Sequence, residues 1–294
     1  MPTTLITGIR SFTGKYLADL LRTDGYTVYG LTYDRHSPAE GVYQCNLMDT
    51  QGLARVLSQV RPDHVIHLAA ISFVAHGDAS EMYETNVVGT RNLLEAVAAS
   101  GAAPRSILLA SSANVYGNSP TDPLVETVVP APANDYAVSK MAMEYMARLW
   151  TPRLPITFVR PFNYTGVGQS LDFLLPKIVD YFKRGAKEIE LGNLDVTRDF
   201  CDVRTVVKVY AKLLNVGQSG EVFNVCSGNV FSLQDVLDMM ERIAGYKISV
   251  KVNPAFVRKG EVRVLRGSNQ KLYEKIKEMD FIPLEETLRW MYES

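Results

Sequence analysis

Apolar positions along this chain alternate between two rhythms. Thr4–Thr7, Thr27–Thr32, His64–Leu68, Ser106–Ala110 and Thr157–Val159 are short apolar runs of strand length. The segments between them place apolar residues three and four apart, and this spacing predicts helices over Lys15–Leu21, Gly52–Val60, Tyr83–Ser100 and Asp135–Trp150. Such alternation predicts an α/β fold with a Rossmann-type, doubly wound parallel sheet, which binds ligands outside the carboxyl ends of its strands. The second half is less regular, with helices expected at Leu171–Arg184, Val203–Val216 and Leu233–Ala244 and strands at Glu188–Leu191 and Glu221–Val225.

The first strand runs directly into Gly8-Ile9-Arg10-Ser11-Phe12-Thr13-Gly14 and then a helix. A strand, a small-residue turn and a helix in succession lay a dinucleotide pyrophosphate on a helix N-terminus. Ser11 stands where a middle glycine is usual, and it is small enough to be tolerated and able to donate to a phosphate oxygen itself. Residues 1–162 are therefore read as a dinucleotide-binding domain, with returning segments near 203–226. Residues 163–294 are read as a smaller, interleaved C-terminal substrate domain.

Tyr136 and Lys140, in Tyr136-Ala137-Val138-Ser139-Lys140, lie four apart on a predicted helix and so share a face. A phenol with a reference pKa of about 10 is a poor proton-transfer group at neutral pH, and a neighbouring cation is expected to lower that value. The pair has the composition of a proton donor with its tuning charge.

Composition narrows the class. With 294 residues, 47% of them hydrophobic, and a net charge of −1, the chain is long enough for one large domain or two joined ones and carries no basic stripe for nucleic acid. No apolar run reaches the roughly 20 residues that cross a bilayer, and no signal-peptide pattern opens the chain, so a cytoplasmic protein without a membrane partner is expected. Cys45, Cys201 and Cys226 are odd in number and widely spaced, which fits reduced, buried fillers. His36, His64, His67 and His76 show no ligand spacing, and no metal is assigned.

Gly8–Gly14, Asn46-Leu47-Met48-Asp49, His67-Leu68-Ala69-Ala70, Asn86-Val87-Val88-Gly89-Thr90, Ser111-Ser112, Val115-Tyr116-Gly117, the Tyr136–Lys140 stretch and Arg160-Pro161-Phe162-Asn163 occur in the order found in the extended short-chain dehydrogenase/reductases, which the chain resembles over nearly its whole length. Leu191-Gly192-Asn193-Leu194, Arg198-Asp199-Phe200 and Glu261-Val262-Arg263-Val264-Leu265 resemble the branch acting on GDP-mannose-derived sugars. The resemblance implies NADP(H)-dependent reduction of the 4-keto group of a nucleotide-linked 4-keto-6-deoxy sugar, GDP-4-keto-6-deoxy-D-mannose to GDP-D-rhamnose. Tyr136 would deliver the proton, Lys140 would hold the ribose hydroxyls and bias the phenol, and Ser112 would hydrogen-bond the same carbonyl oxygen. The family's 4,6-dehydratases carry a glutamate or an Asp-Glu pair between the catalytic Ser/Thr and the Tyr-Gly. Here Ala113 and Asn114 stand there, so water elimination lacks its acid and base. A 4-epimerase with retained NAD stays open, as does, from another class, a non-catalytic dinucleotide-binding regulator.

By the same resemblance the cofactor lies against Gly8, Arg10, Ser11, Phe12, Thr13 and Gly14 in the turn, Tyr33, Asp34 and Arg35 after the second strand, Asn46 and Leu47, Leu68, Ala69 and Ala70, Tyr136, Lys140 and Pro161. The second strand ends in Thr32-Tyr33, neither acidic, with Arg10 and Arg35 nearby, which favours NADP(H); a shift of register would let Asp34 serve NAD(H). Substrate contacts are expected from Ser72, Asn114, Asn163, Lys177, Arg198, Arg258 and Glu261, the arginines reading the diphosphate and a GDP base favoured. Lys177 is expected foremost as a solvated surface residue, and Asn86 as a structural residue bonding backbone near the site. Val87, Leu93, Leu94, Ala96 and Val97, with Met141, Met143, Met146 and Leu149, make two helices apolar on more than one face, and a homodimer through a four-helix bundle is expected.

Overall fold

The computed structural model of the chain describes residues 1–34, 39–72, 78–256 and 262–294. Its apolar runs pair into one parallel sheet: β1 (Thr3–Thr7), β2 (Thr27–Thr32), β3 (Val42–Gln44), β4 (His64–His67), β5 (Ser106–Ala110) and β6 (Ile156–Pro161). After three short strands, β7 (Asn163–Thr165), β8 (Glu188–Leu191) and β9 (Thr197–Arg198), come β10 (Phe200–Asp202) and β11 (Val222–Val225). The sheet order is β11-β6-β5-β4-β1-β2-β3, every neighbour parallel. This is the doubly wound Rossmann-type arrangement, extended by the returning strand β11.

Helices cover both faces because the strands are apolar on both. α1 (Phe12–Thr23) lies on one face, α2 (Thr50–Val60) on the other, followed by α3 (Ala79–Tyr83), α4 (Thr90–Ala99), α5 (Asp135–Arg148), α6 (Leu174–Lys183) and α7 (Val203–Val216). Leu17 and Leu21 of α1 pack with Val206, Val209 and Leu213 of α7 and with Ile6 and Phe223 of the sheet. Across the sheet, Leu53 and Leu57 of α2, Leu93, Leu94 and Val97 of α4, and Met143 and Ala147 of α5 pack on Leu5, Val65, Ile107 and Phe158.

α8 (Leu233–Ala244), α9 (Gln270–Ile276) and α10 (Leu284–Glu293) complete the chain, with β12 (Phe231–Ser232), β13 (Ser249–Val252) and β14 (Val264–Leu265). The short strands pair as β7 with β10, β8 with β13, and β12-β9-β14. A separate core of Leu175, Ile178, Phe182, Ile189, Leu237 and Leu288 holds α6, α8 and α10 together. It meets the main core at α1, where the Tyr16 hydroxyl donates to the Val167 carbonyl at 2.7 Å and its ring meets Trp290 edge to face.

The expected helix Tyr83–Ser100 is α3 and α4 joined by a π-helical turn, Glu84–Gly89. The widened turn carries Asn86, and such turns recur at functional sites. The helix expected from Leu171 starts at Leu174. Of the apolar residues that suggested a dimer face, Leu93, Leu94, Ala96, Val97 and Met143 are consumed by the chain's own core. Leu149, capping α5, is 78% exposed, and Val88 on the π-helical turn and Val138 and Tyr145 on α5 are exposed as well. No helix among the described residues is long and apolar enough to cross a membrane.

Leu93, on α4, is fully buried in the core beneath the sheet. Leu93→Ala is expected to cost about 2–5 kcal/mol of unfolding free energy in urea titrations, the range for a cavity that neighbours fill only in part.

Candidate active site

The carboxyl ends of β1, β4, β5 and β6 share one edge of the sheet, and each continues into a segment singled out in the sequence. β1 enters the glycine turn, where Gly8 adopts φ +71°, and a side-chain carbon there would sit 3.0 Å from the Ala69 nitrogen. At Gly14 a side-chain carbon would meet the Gly8 and Ile9 carbonyl oxygens at 2.3 and 2.7 Å, so glycine lets helix and turn close on each other. Ser11 caps α1, its hydroxyl oxygen accepting from the Gly14 nitrogen at 3.1 Å. The first amides of the helix, Phe12 and Thr13, have no intrahelical acceptor and face the anion position. The turn therefore fits a pyrophosphate.

The rest of the expected cofactor wall lies around this edge. Leu68, Ala69 and Ala70 follow β4 half-buried, and Pro161 ends β6. The carbonyl of Leu47 accepts from Asn92 at 3.0 Å, and Gly89 lets the helix approach Leu47 to contact distance; Asn46 is exposed and bonds the Met48 nitrogen. β2 ends at Thr32, Tyr33 is 76% exposed just beyond, and the Asp34 nitrogen is held by the Thr32 hydroxyl. Arg10 is half-buried in the turn, and Arg35 lies outside the described residues.

α5 brings the phenol and ammonium to the same edge. Asn134 caps the helix by accepting from the Ala137 nitrogen at 2.9 Å, and Tyr83 donates to Asp135 at its first turn. Tyr136 is 8% and Lys140 5% exposed. Ser112, just past β5, neighbours the Tyr136 phenol and caps the following turn at the Asn114 nitrogen. The Lys140 ammonium donates to the Ala110 carbonyl at 2.8 Å.

Burial reverses one expectation. The Tyr136 phenol is pushed up to about 12 by desolvation, eased by the neighbouring Ser112 hydroxyl and raised further by the nearby Tyr164, instead of being lowered by Lys140. Helical spacing made the two residues neighbours, but it does not register that the whole face is buried. Desolvation likewise pulls Lys140 down to about 8, with the Glu144 carboxylate pulling it back up. At neutral pH the pair is therefore a protonated phenol and a charged ammonium, the forms needed to give a proton away.

A buried polar chain that the sequence did not disclose fixes this geometry. His67 lies between the Thr7 hydroxyl, 2.7 Å from Nδ1, and the Thr90 hydroxyl, 2.9 Å from Nε2. Thr90 spends its one hydrogen on the Asn86 carbonyl at 2.7 Å, so Nε2 carries the imidazole proton and Nδ1 accepts from Thr7. Asn86 exchanges two hydrogen bonds with the backbone of Ile71 and donates to Ser139 on α5 at 3.0 Å. The β4 loop and the helix carrying Tyr136 are thereby tied to one carboxamide, the structural role expected of Asn86. The second unread group is Arg160, forked onto Glu144 at 2.7 and 2.9 Å. A lone charge in the apolar run Ile156–Pro161, and a glutamate four residues after Lys140, were the signals available.

The expected substrate residues scatter more widely. Ser72 is exposed directly after Ile71, and Asn114 is half-buried next to Ser112, while Ala113 beside it is buried. Neither 113 nor 114 offers a carboxyl group. Asn163, on β7, donates to the Asp199 carbonyl at 3.4 Å. Arg198 is buried, with one guanidinium nitrogen on the Thr197 and Arg263 carbonyls at 3.0 and 3.1 Å. Lys177 donates to the Glu190 carbonyl at 2.9 Å and sits 4.3 Å above the Phe256 ring, so it is engaged on the C-terminal core. Arg258 and Glu261 lie outside the described residues. Asp199 went unread: it is buried, receives the Ser227 amide and hydroxyl and the Gly228 amide at 2.7–2.9 Å, and burial lifts its carboxyl to about 6.

Comparison with known proteins adds to this geometry. The family model described as GDP-mannose 4,6 dehydratase matches residues 5–291. A GDP-6-deoxy-D-talose 4-dehydrogenase of Aggregatibacter actinomycetemcomitans is 34% identical, covering 91% of this chain and 89% of that protein. A GDP-6-deoxy-D-mannose reductase of Pseudomonas aeruginosa is 33% identical over 97% of this chain and 94% of its own. Among solved structures, a Burkholderia cenocepacia J2315 protein described only provisionally as an epimerase superposes with a TM-score of 0.94 at 48% identity, covering 99% of this chain and 97% of that one. RMD from Pseudomonas aeruginosa complexed with NADPH superposes with a TM-score of 0.88 at 30% identity, covering 100% and 98%.

Full burial holds His67 neutral, its pKa lowered to about 3, with the Lys140 charge adding to desolvation. The unfolded chain takes up this proton first, near pH 6.5, so the contribution to stability is complete above that pH and is lost as pH falls toward 3. Unfolding free energy is expected to drop through that window by about 1.4 kcal/mol per pH unit from this residue. Urea titrations across the window should show a shallower slope in His67→Gln than in the wild type.

Proposed function

The chain belongs to the GDP-mannose 4,6-dehydratase family, within the nucleotide-sugar branch of the extended short-chain dehydrogenase/reductases, and from that premise we propose that it reduces GDP-4-keto-6-deoxy-D-mannose to GDP-D-rhamnose with NADP(H). The observation that carries this reading is the convergence of Ser112, Tyr136 and Lys140 at the carboxyl edge of the sheet without a carboxyl group at positions 113 and 114. The relatives named for a GDP-6-deoxy sugar reductase and 4-dehydrogenase support the sugar class.

NADP(H), when bound, supplies the hydride. The glycine turn and the α1 amides receive its pyrophosphate, and Lys140 holds the ribose hydroxyls. The NADPH complex of the similar Pseudomonas structure and the absence of an acidic residue at the end of β2 favour NADP(H), and NAD(H) would need the Asp34 carboxylate, two residues past the strand, to reach the ribose. Ser112 and Tyr136 both donate to the sugar carbonyl oxygen, and as negative charge develops there Tyr136 gives up its proton. The charge on Lys140 stabilises the phenolate left behind. Burial makes these donors effective, since the same charges act more strongly out of water.

Asn114, Ser72, Asn163 and Arg198 are proposed on the sugar-nucleotide side, with residues 163–294 as the substrate domain apart from the segments that return to the main sheet. The unpaired cysteines suit a reducing compartment, and we place the enzyme in the cytoplasm. A homodimer through α4 and α5 would cover Val88, Val138, Tyr145 and Leu149, and gel filtration at micromolar concentration should give twice the chain mass; elution at the mass of one chain contradicts it.

Tyr136→Phe is expected to lower turnover of GDP-4-keto-6-deoxy-D-mannose by about 10²–10⁴-fold, the usual loss of a positioned acid, with NADPH binding changed only a few-fold. Stopped NADPH absorbance loss with intact binding supports the assignment. Interconversion of nucleotide sugars without net NADPH consumption identifies an epimerase instead.

A further inference from the structure

We infer that Glu144 is a positioning residue of this enzyme: clamped by Arg160 one helical turn beyond Lys140, its carboxylate keeps the Lys140 ammonium charged inside the protein. Tyr136, Lys140 and Glu144 are spaced by four and four along α5, so they form one stripe on one face of the helix. All three are buried, Glu144 at 3% exposure. A phenol, an ammonium and a carboxylate in line on a face turned toward a sheet is the reverse of an amphipathic helix. Each charge in such a stripe requires a partner.

The partners are identifiable. Arg160 on β6 grips both oxygens of Glu144 through Nε and one terminal nitrogen. Its other terminal nitrogen donates to the Tyr116 hydroxyl at 2.9 Å and reaches the Glu126 carbonyl at 3.4 Å, while the guanidinium lies 4.8 Å over the Tyr116 ring. Tyr116 in turn donates to Asn224 on β11 at 2.7 Å. Glu144 is thus fixed from two strands and one turn, with its charge in place before any ligand arrives.

Lys140 has no such fork. Its ammonium has the Ala110 carbonyl from β5. From β4 it meets His67, whose two ring nitrogens are occupied and which stays neutral. On its own helix stand the neutral Tyr136 and the anionic Glu144; from β6 comes Arg160, its guanidinium engaged on Glu144. Burial drives Lys140 toward the uncharged amine, and Glu144 is the group that opposes it. Without that carboxylate the lysine would be uncharged over much of the neutral range, losing its hold on a ribose and its influence on the phenol. This consequence rests on the reductase reading, but the charge of Lys140 is measurable with no turnover at all.

The test is ¹³C NMR of the full chain labelled at lysine Cε, with the Lys140 resonance identified by its loss in Lys140→Arg. The wild-type resonance should titrate near pH 8, and in Glu144→Gln the midpoint should fall by about one unit or more. Glu144→Gln leaves Arg160 unpaired, so the double variant Glu144→Gln/Arg160→Gln, which removes both charges and keeps a polar side chain at each position, is read alongside and should show the same direction of shift. NADPH affinity, followed by fluorescence, should weaken at a correspondingly lower pH in both. An unmoved Lys140 midpoint in a folded variant overturns the inference, as does failure of both variants to fold, which would assign the pair to folding alone. A shifted midpoint in a chain that reduces no nucleotide keto sugar supports the inference while removing the reductase reading.

Discussion

The constraint that organises this molecule is the burial of a reactive helix face. α5 turns Tyr136, Lys140 and Glu144 toward the sheet, where a helix of this kind would otherwise place leucines. The surrounding architecture answers the cost of that choice. Ser112 meets the phenol, the Ala110 carbonyl meets the ammonium, Arg160 meets the carboxylate, and Asn86 secures the helix backbone through Ser139 to the loop after β4. Parallel strands make this possible because their carboxyl ends gather at one edge, so groups far apart in sequence arrive together. A buried ion pair such as Arg160 with Glu144 is weak evidence for stability. Its value here lies in setting the charge of its neighbour.

The same burial explains the acid–base character of the site. In water a phenol beside a lysine would be acidified; desolvation outweighs that attraction here, and Tyr136 stays protonated. A donor that holds its proton tightly until negative charge develops next to it is suited to reducing a carbonyl. The alanine and the carboxamide at positions 113 and 114 add no acid or base beside Ser112.

Much of the sheet was legible because its strands are continuous apolar runs. β2 and β5 occupy Thr27–Thr32 and Ser106–Ala110 as read from the sequence. What escaped were elements too short to have a period, such as β3 at Val42–Gln44 and the two- and three-residue strands after β6, and the helices α9 and α10, which pack on cores assembled from distant segments. The π-helical turn at Glu84–Gly89 carries no periodic signature, since it widens a helix that otherwise continues. At the site, spacing disclosed that Tyr136 and Lys140 are neighbours and the glycine turn disclosed where a pyrophosphate fits. The burial that raises the phenol, and the partners of His67 and Arg160, depend on which strands lie beside one another. Lys177, expected foremost as a solvated surface residue, is engaged on the Glu190 carbonyl, a partner that no pattern in the sequence marks.

The most direct measurement is a crystal structure of the chain with NADP(H) and a GDP-linked 6-deoxyhexose. The account predicts that the Tyr136 and Ser112 hydroxyl oxygens both lie within hydrogen-bonding distance of the sugar O4, with the Lys140 ammonium on the nicotinamide ribose. A sugar seated with O4 turned away from Tyr136, or a phenol walled off from the nicotinamide by protein, would contradict it.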